Sequence, residues 1–315
     1  MTLAIFTLLM LLGMPIAFVL LAATLAFVVN TGNYRVLESL PQVLFGSLEV
    51  FDLLAIPLFI LLGEIMNEGG ITRRIIEAAR AWFSWIPHSI AYVSLTSNLM
   101  LASIMGSATA QIAIMSRVMT PELERDGYDK GFAAALTAGA GLLGPIIPPS
   151  MLFVLFGVMA QVPIADMFIA GILPGLLMGL LFFVAITAVG LVQQYPKGEW
   201  PTRAQARRFL LMGLPAMSIP VIIIGGILFG LATPTESAAL ASLAALLIGR
   251  YVYGDLSFAR LPQILERTAI NAGLVIVLIA AAGVFGWVIV YEQLPQMAAA
   301  WIASLTTDPF LFLLL

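Results

Sequence analysis

The 315-residue sequence contains no cysteine and a single histidine, His88. It therefore has neither a disulfide framework nor thiolate chemistry, and one imidazole is too few for a multi-histidine metal site. Charged residues are also scarce, at 10% of the chain, whereas soluble domains carry about 25%. The net charge of −3 gives no basic surface of the kind that nucleic-acid-binding proteins use, so we expect no nucleic acid partner.

Hydrophobic residues are abundant instead, at 61% of the chain with a mean hydropathy of +1.06. With 14 basic and 17 acidic residues, the chain cannot cover a water-facing exterior, so a lipid bilayer must surround most of it. Its apolar runs are too long for the strands of a barrel, so we predict an all-α polytopic membrane protein. The predicted spans are 2–29, 51–67, 131–160, 166–192, 209–231, 236–252 and 270–290.

Two charged segments between these spans are amphipathic. Residues 71–87 carry charges on one face and aromatic residues on the other, which predicts a helix lying along the membrane interface. Residues 254–268 have a similar pattern. The first span lacks a basic leader and a small-residue cleavage site, so we expect it to be retained as a helix.

The apolar segment 88–117 has no charged residue before Arg117 and is interrupted by small polar residues over 103–111. It is either a full crossing with a polar kink or a re-entrant hairpin. A hairpin would place 13 of the 14 basic residues on one side, with Arg35 opposite, whereas a full crossing gives 11 against 3. The positive-inside rule therefore favours the hairpin and a cytoplasmic N-terminus.

The span 131–160 contains Gly144, Pro145, Pro148 and Pro149 near its middle. Prolines lack amide donors and clash with the preceding helical turn, so we predict a broken helix here. A hairpin tip and a broken helix near mid-membrane are typical of the binding site of a secondary transporter. The structural alternatives are a small-residue packing face at the tip and a simple proline kink at the break.

A weak internal repeat relates residues 63–95 to residues 285–315 at an offset near 222. The counterparts of the tip and the break would lie near positions 328 and 366, beyond the last residue. The pattern predicts an internal repeat whose second copy is incomplete because the chain is truncated at its C-terminus.

Five motifs, in this order and at this spacing, resemble those of the large membrane subunit of tripartite ATP-independent periplasmic (TRAP) transporters. The last of them is also typical of a helix start, with proline and an acidic residue in the first turn. The motifs are Gly106-Ser-Ala-Thr-Ala110, Gly127-Tyr-Asp-Lys-Gly-Phe-Ala-Ala-Ala135, Gly144-Pro-Ile-Ile-Pro-Pro-Ser150, Ala170-Gly-Ile-Leu-Pro-Gly175 and Thr233-Pro-Thr-Glu-Ser-Ala-Ala239.

The resemblance implies an inverted-repeat, elevator-type carrier in the bacterial inner membrane that is coupled to Na⁺ and has no organic cofactor. The implied partners are a small four-helix membrane subunit and a periplasmic binding protein that delivers the substrate. The implied cargo is a small carboxylate: a C4-dicarboxylate, a sialic or sugar acid, or another organic acid.

The resemblance also implies site residues at the tip and the break. The expected Na⁺ ligands are Ser103, Gly106, Ser107, Gly144, Ile147 and Pro149, and the expected substrate contacts are Ser107, Thr109 and Ser150. The sequence departs from many relatives at Met105, where serine is common, and at Gln111, where an acidic or small residue is often found.

The implied organisation has five parts, which form a scaffold and half of a transport domain. These are N-terminal scaffold helices (1–70), an arm helix (71–87), half of the transport domain (88–160, with the hairpin 88–117 and the broken helix 131–160), further scaffold helices (161–268) and the start of the second repeat (269–315).

Two other functions compete with this reading. The permease subunit of an ATP-driven importer would need a cytoplasmic coupling loop, and the basic loop 195–208 is short. An intramembrane enzyme would need paired aspartates, a serine with a histidine, or a metal cluster, but Asp52, Asp166 and Asp308 all lie at span ends. With no Walker-type phosphate loop either, the sequence predicts a transporter and not an enzyme.

Overall fold

A computed structural model describes residues 2–83, 86, 88–192, 202–305, 308 and 311. Within these ranges the chain forms α-helices and no β-strand, which confirms the predicted all-α class. Short 3₁₀ turns cover Phe51–Leu54 and Phe258–Arg260, and a π turn covers Ile248–Val252. The helices are α1 (Thr2–Leu11), α2 (Ile16–Thr31), α3 (Arg35–Gly46), α4 (Ala55–Glu68), α5 (Ile71–Phe83), α6 (Ser89–Met105), α7 (Ala108–Arg125), α8 (Lys130–Gly141), α9 (Met151–Ala160), α10 (Ile164–Val192), α11 (Arg203–Leu228), α12 (Pro234–Leu247), α13 (Leu261–Tyr291) and α14 (Leu294–Leu305).

Three helical stretches in the described part of the chain are each long and apolar enough to cross a membrane. They are Ile164–Val192, Leu211–Leu228 and Phe258–Tyr291. Large apolar side chains such as Leu173 and Val221 stand exposed on them, as expected of surfaces that face lipid. The chain is therefore a polytopic helical membrane protein, as predicted.

The structure corrects two predicted segments. Residues 2–29 do not form one helix, because Gly13 adopts a left-handed φ of 75° and the Met14 amide donates to the Leu9 carbonyl at 3.2 Å, which ends α1. Pro15 then precedes α2. Conversely, residues 261–291 form a single helix where we predicted an amphipathic segment and a separate span, because charged side chains alone do not interrupt a helix.

The chain divides into two compact units. The first comprises residues 1–50 and 273–315. Its core is a cluster of Phe27, Val28, Val36 and Val288, against which Trp287 packs. Near the end of α13, the Tyr291 hydroxyl accepts a hydrogen bond from the Asn33 amide at 3.0 Å.

The second unit comprises residues 51–272 and contains every predicted site residue. Its arm helix, α5, buries Ile71, Ile75 and Ala79 and packs against α11 and α6. Apolar residues of the predicted interfacial helix therefore pack against protein, Trp82 is exposed, and its placement at the membrane interface stays a prediction. The end of the predicted arm, at 84, 85 and 87, lies outside the described residues.

Ion pairs in the second unit cluster at the ends of α4 and α5. Glu68 accepts hydrogen bonds from Arg260 at 3.0 Å and Arg267 at 2.9 Å. In α5, Arg74 pairs with Asp255 near one end, and Arg80 pairs with Glu122 of α7 near the other. Several of the few charged side chains of the protein therefore hold the arm helix in place.

Helix α12 begins with a capping box. The Thr233 hydroxyl accepts from the Glu236 amide at 3.2 Å, and the Glu236 carboxylate accepts from the Thr233 amide at 2.8 Å. Pro234 occupies the first turn, where its missing amide hydrogen costs nothing. The helix start predicted from this motif is confirmed.

Replacing Thr233 tests the cap. Thr233→Ala removes the side-chain oxygen, so we expect a loss of about 1 kcal/mol of stability, measured as a lower thermal unfolding midpoint in detergent. Thr233→Ser keeps the oxygen and is the matched control. Equal midpoints for the two variants would contradict the capping role.

Candidate functional site

Helices α6 and α7 are joined by a two-residue turn at Gly106 and Ser107, which we call the tip. Gly106 has a left-handed φ of 57°, a conformation that favours glycine, and Ser107 is extended. The two helices lie side by side as a hairpin. The Gln111 side-chain amide of α7 donates to the Asn98 backbone oxygen of α6 at 2.8 Å. This is the hairpin geometry expected for residues 88–117, and its re-entrant placement in a membrane stays a prediction.

The predicted break in span 131–160 is confirmed. Helix α8 ends at Gly141, and α9 begins at Met151, so residues 142–150, which we call the break, are not helical. Ser150 closes this segment, since its hydroxyl donates to the Pro145 carbonyl at 2.6 Å and accepts from the Phe153 amide at 3.4 Å. A continuous helix through three prolines would have left several backbone groups without partners.

The tip and the break are in backbone contact. The Met151 amide donates to the Gly106 carbonyl at 3.4 Å, and a methyl group placed on Gly106 would lie 3.0 Å from the Pro149 carbonyl oxygen. A methyl group placed on Gly144 would lie 3.3 Å from the carbonyl carbon of Ser107. The structure therefore brings together four of the six predicted Na⁺ ligands: Gly106, Ser107, Gly144 and Pro149.

The two other predicted ligands have different surroundings. The Ser103 hydroxyl donates to the Met100 carbonyl of its own helix at 2.7 Å. The Ile147 side chain points towards Gly175 of α10, where a methyl group would lie 2.6 Å from Cγ1. The roles of Ser103 and Ile147 as ligands stay predictions.

The three predicted substrate contacts differ in exposure. Thr109 is exposed, Ser107 is partly exposed, and their hydroxyls lie 3.1 Å apart. Ser150 is fully buried, and its hydroxyl is already bonded on both sides. Ser150 therefore caps α9 and closes the break, and its predicted contact with substrate stays a prediction that is tested below.

Gly171 and Gly175 of α10 form a seat for the break that we did not assign from the sequence. A methyl group on Gly171 would lie 2.7 Å from the Ile146 carbonyl oxygen and would also meet the Phe153 ring. The two glycines are four residues apart and so share one face of α10. This small-xxx-small spacing was the available signal.

Gln111 and Asn98 are a second feature that the sequence did not assign. Both side chains are fully buried between the two helices of the hairpin. A methyl group on Gly144 would lie 2.8 Å from Oε1 of Gln111, so this amide oxygen reaches the break. The signals in the sequence were two amide side chains in an otherwise apolar hairpin and the departure from many relatives at Gln111.

The chemistry of the site is dominated by neutral oxygen atoms. The break has nine residues but three are prolines, so carbonyl acceptors outnumber amide donors. The described residues include no group of three or more His, Cys, Asp or Glu side chains that could hold a metal. Carbonyl and hydroxyl oxygens suit a hard cation, while the N-termini of α7 and α9, which meet here, favour an anion.

Comparison with known proteins gives a match over residues 3–315 to the family described as "Tripartite ATP-independent periplasmic transporter, DctM component". The chain is 34% identical over 303 residues to a sialic acid TRAP transporter large permease protein of Vibrio cholerae, covering 96% of this chain and 71% of that protein. It is 34% identical over 299 residues to the 2,3-diketo-L-gulonate TRAP transporter large permease protein of Escherichia coli, covering 94% and 70%. It is 36% identical over 283 residues to the C4-dicarboxylate TRAP transporter large permease protein of Pseudomonas aeruginosa, covering 88% and 65%.

The close packing of Gly171 against the break is tested by measuring the stability of a variant. Gly171→Ala forces a methyl group against a backbone oxygen, so we expect a loss of about 1–3 kcal/mol, measured by thermal unfolding in detergent. Gly225→Ala in α11 is the matched control, because a methyl group there meets nothing within 4 Å. We expect the control to be neutral or stabilising by up to about 1 kcal/mol, and the reverse order would contradict the seat.

Proposed function

The chain belongs to the DctM family of TRAP transporter large permease components, and we propose that it imports a small organic acid by coupling its uptake to Na⁺ influx. The observation that carries this proposal is the contact between the hairpin tip and the break. Unwound backbone at membrane depth persists where it is buried in protein or lines a cavity, and broken helices of this kind hold ions and substrates in secondary transporters.

The proposed substrate is a carboxylate. The three relatives are named for sialic acid, 2,3-diketo-L-gulonate and C4-dicarboxylate, which are all organic acids. An anionic group would be favoured by the N-termini of α7 and α9, with the hydroxyls of Ser107 and Thr109 as hydrogen-bond donors. The geometry supports the substrate class and does not select one acid within it.

The proposed coupling ion is Na⁺, held between the tip and the break. Gly106, Ser107, Gly144 and Pro149 would supply oxygens there, because their backbones lie against each other. Ser103 and Ile147 complete the set implied by the family. Neutral oxygens can replace the hydration shell of a monovalent ion without requiring a protein carboxylate.

The proposed movement is of the elevator type, with the hairpin and the broken helix moving together. Hydrogen bonds support their behaviour as one body: Asn98 and Gln111 join the two helices of the hairpin, and the Thr120 and Thr137 hydroxyls join α7 to α8 at 3.2 Å.

We place the protein in the bacterial inner membrane with a cytoplasmic N-terminus. Its proposed partners are a periplasmic binding protein and a small four-helix membrane subunit.

The Na⁺ site is tested by Gly144→Val. The larger side chain collides with Gln111 and with the backbone of Ser107, so we expect Na⁺-driven uptake to be abolished while the protein still inserts. The measurement is uptake of an organic acid into proteoliposomes that also contain the small membrane subunit, with the periplasmic binding protein outside. Gly225→Ala is the control and should retain uptake. Unchanged Na⁺ dependence in Gly144→Val would defeat the site assignment, and wild-type uptake that requires ATP would defeat Na⁺ coupling.

Substrate contact is tested by comparing Thr109→Val with Ser150→Ala. A hydrogen bond to a charged group contributes about 1.5–3 kcal/mol, so we expect the KM for the organic acid to rise about tenfold in Thr109→Val. Ser150→Ala should lower the unfolding midpoint through loss of the α9 cap, with KM nearly unchanged. A raised KM in Ser150→Ala and an unchanged one in Thr109→Val would reverse the two roles.

A further inference from the structure

The side-chain amides of Asn98 and Gln111 form a directed chain of hydrogen bonds. Asn98 Nδ2 donates to the Ser94 carbonyl at 2.9 Å, so Asn98 Oδ1 must face Gln111. Gln111 Nε2 then donates to two acceptors, the Asn98 backbone oxygen at 2.8 Å and Oδ1 at 2.9 Å. Turning the Gln111 amide over would set its oxygen against both acceptors. The network therefore fixes which end of this amide faces the break.

The oxygen that is turned towards the break finds no hydrogen-bond partner in the described part of the chain. Gln111 Oε1 is buried and accepts no hydrogen bond from the described residues. Buried carbonyl oxygens almost always have a partner, because an unpaired one has lost its hydration without compensation. An orphaned oxygen held in a fixed direction by two hydrogen bonds indicates a missing electropositive partner.

The surroundings of Gln111 Oε1 are rich in oxygen. A single point next to Gly144, where a methyl group would stand, lies 2.8 Å from Oε1 and 3.3 Å from the Gly141 carbonyl oxygen. The Ser107 carbonyl carbon also lies 3.3 Å from that point, and the Ser107 carbonyl oxygen accepts a hydrogen bond from the backbone amide of Gln111 at 3.1 Å. Converging oxygens attract a hard cation.

We propose that Gln111 Oε1 is a ligand of the transported Na⁺, and that Asn98 is a positioning residue that keeps this oxygen directed at the break. The proposal rests on the proposed Na⁺ coupling. It adds a side-chain amide oxygen to a set that otherwise consists of backbone and hydroxyl oxygens. It also gives a function to two buried amides that would otherwise be costly in an apolar hairpin.

The test measures Na⁺ binding without transport. The purified full-length chain is unfolded thermally in NaCl and in choline chloride, and the rise in midpoint caused by Na⁺ is titrated to give an apparent Kd. A ligand that binds only the folded state stabilises it by RT ln(1 + [L]/Kd), so the dependence of the midpoint on Na⁺ concentration gives the Kd. For Gln111→Leu we expect the apparent Kd for Na⁺ to rise about tenfold or more, as is typical when the surroundings of a metal site are altered.

Asn98→Leu separates positioning from ligation. It removes one of the two acceptors that hold the Gln111 amide but leaves the Asn98 backbone oxygen in place. We therefore expect the Kd for Na⁺ to rise by less than in Gln111→Leu, and Asn98→Asp, which keeps an acceptor oxygen, to restore part of the affinity.

Thr137→Val is the matched control, since it removes a buried hydroxyl that is bonded between α7 and α8 at 3.2 Å. It should lower the midpoint equally in both salts. The same equal loss in Gln111→Leu, with the Kd for Na⁺ unchanged, would show that Gln111 is merely structural and would overturn the inference.

Two outcomes separate this inference from the proposed function. If the wild-type midpoint does not respond to Na⁺ at all, the proposed coupling fails and the inference fails with it. If the wild type responds and Gln111→Leu responds equally, the inference alone fails. Should Gln111→Leu not fold, Gln111→Asn decides the question, because it keeps the amide but withdraws its oxygen from the break, and an unchanged Kd would again overturn the proposal.

Discussion

Backbone polar groups inside a bilayer must find partners within the protein, and the contact between the hairpin tip and the break answers this constraint. The Gly106 carbonyl follows the end of α6, and the Met151 amide begins α9. These two backbone groups lack partners within their own helices, and the amide donates to the carbonyl. Ser150 satisfies the Pro145 carbonyl in the same way. Each unwound segment therefore supplies a hydrogen-bond partner to the other or to itself.

The same constraint leaves a surplus of acceptors. Pro145, Pro148 and Pro149 contribute carbonyl groups but no amide hydrogens, so the break cannot satisfy all of its oxygens internally. Glycines at the tip, at the break and on α10 remove the side chains that would otherwise hold the backbones apart. The same segments therefore combine close packing with an excess of carbonyl groups over amide groups, which is the basis of the proposed cation site.

The arm helix α5 connects this site to the rest of the second unit. Near its start, Arg74 pairs with Asp255 and lies 4.3 Å from the centre of the Tyr253 ring. Near its end, Arg80 pairs with Glu122 of α7, in the hairpin itself. Moving the observed α5 (Ile71–Phe83) by the repeat offset of 222 gives 293–305, and α14 spans Leu294–Leu305. That agreement supports the repeat in the pattern of helices, while the inverted arrangement stays a prediction.

The sequence by itself determined the helical membrane class, the turn near Gly106, the break around Gly144 and the start of α12, because hydropathy, proline and glycine act locally on the backbone. The predictions for 2–29 and 254–290 were wrong. Gly13 adopts a left-handed conformation that ends α1, and the charged residues near the start of α13 do not interrupt that helix. Only the tertiary structure showed that Ser150 caps α9, that Gly171 and Gly175 pack against the break, and that the Gln111 side-chain oxygen lies close to Gly144. The contacts of Gly171, Gly175 and Gln111 depend on which atoms meet across elements that are distant in sequence, and no local pattern specifies such contacts.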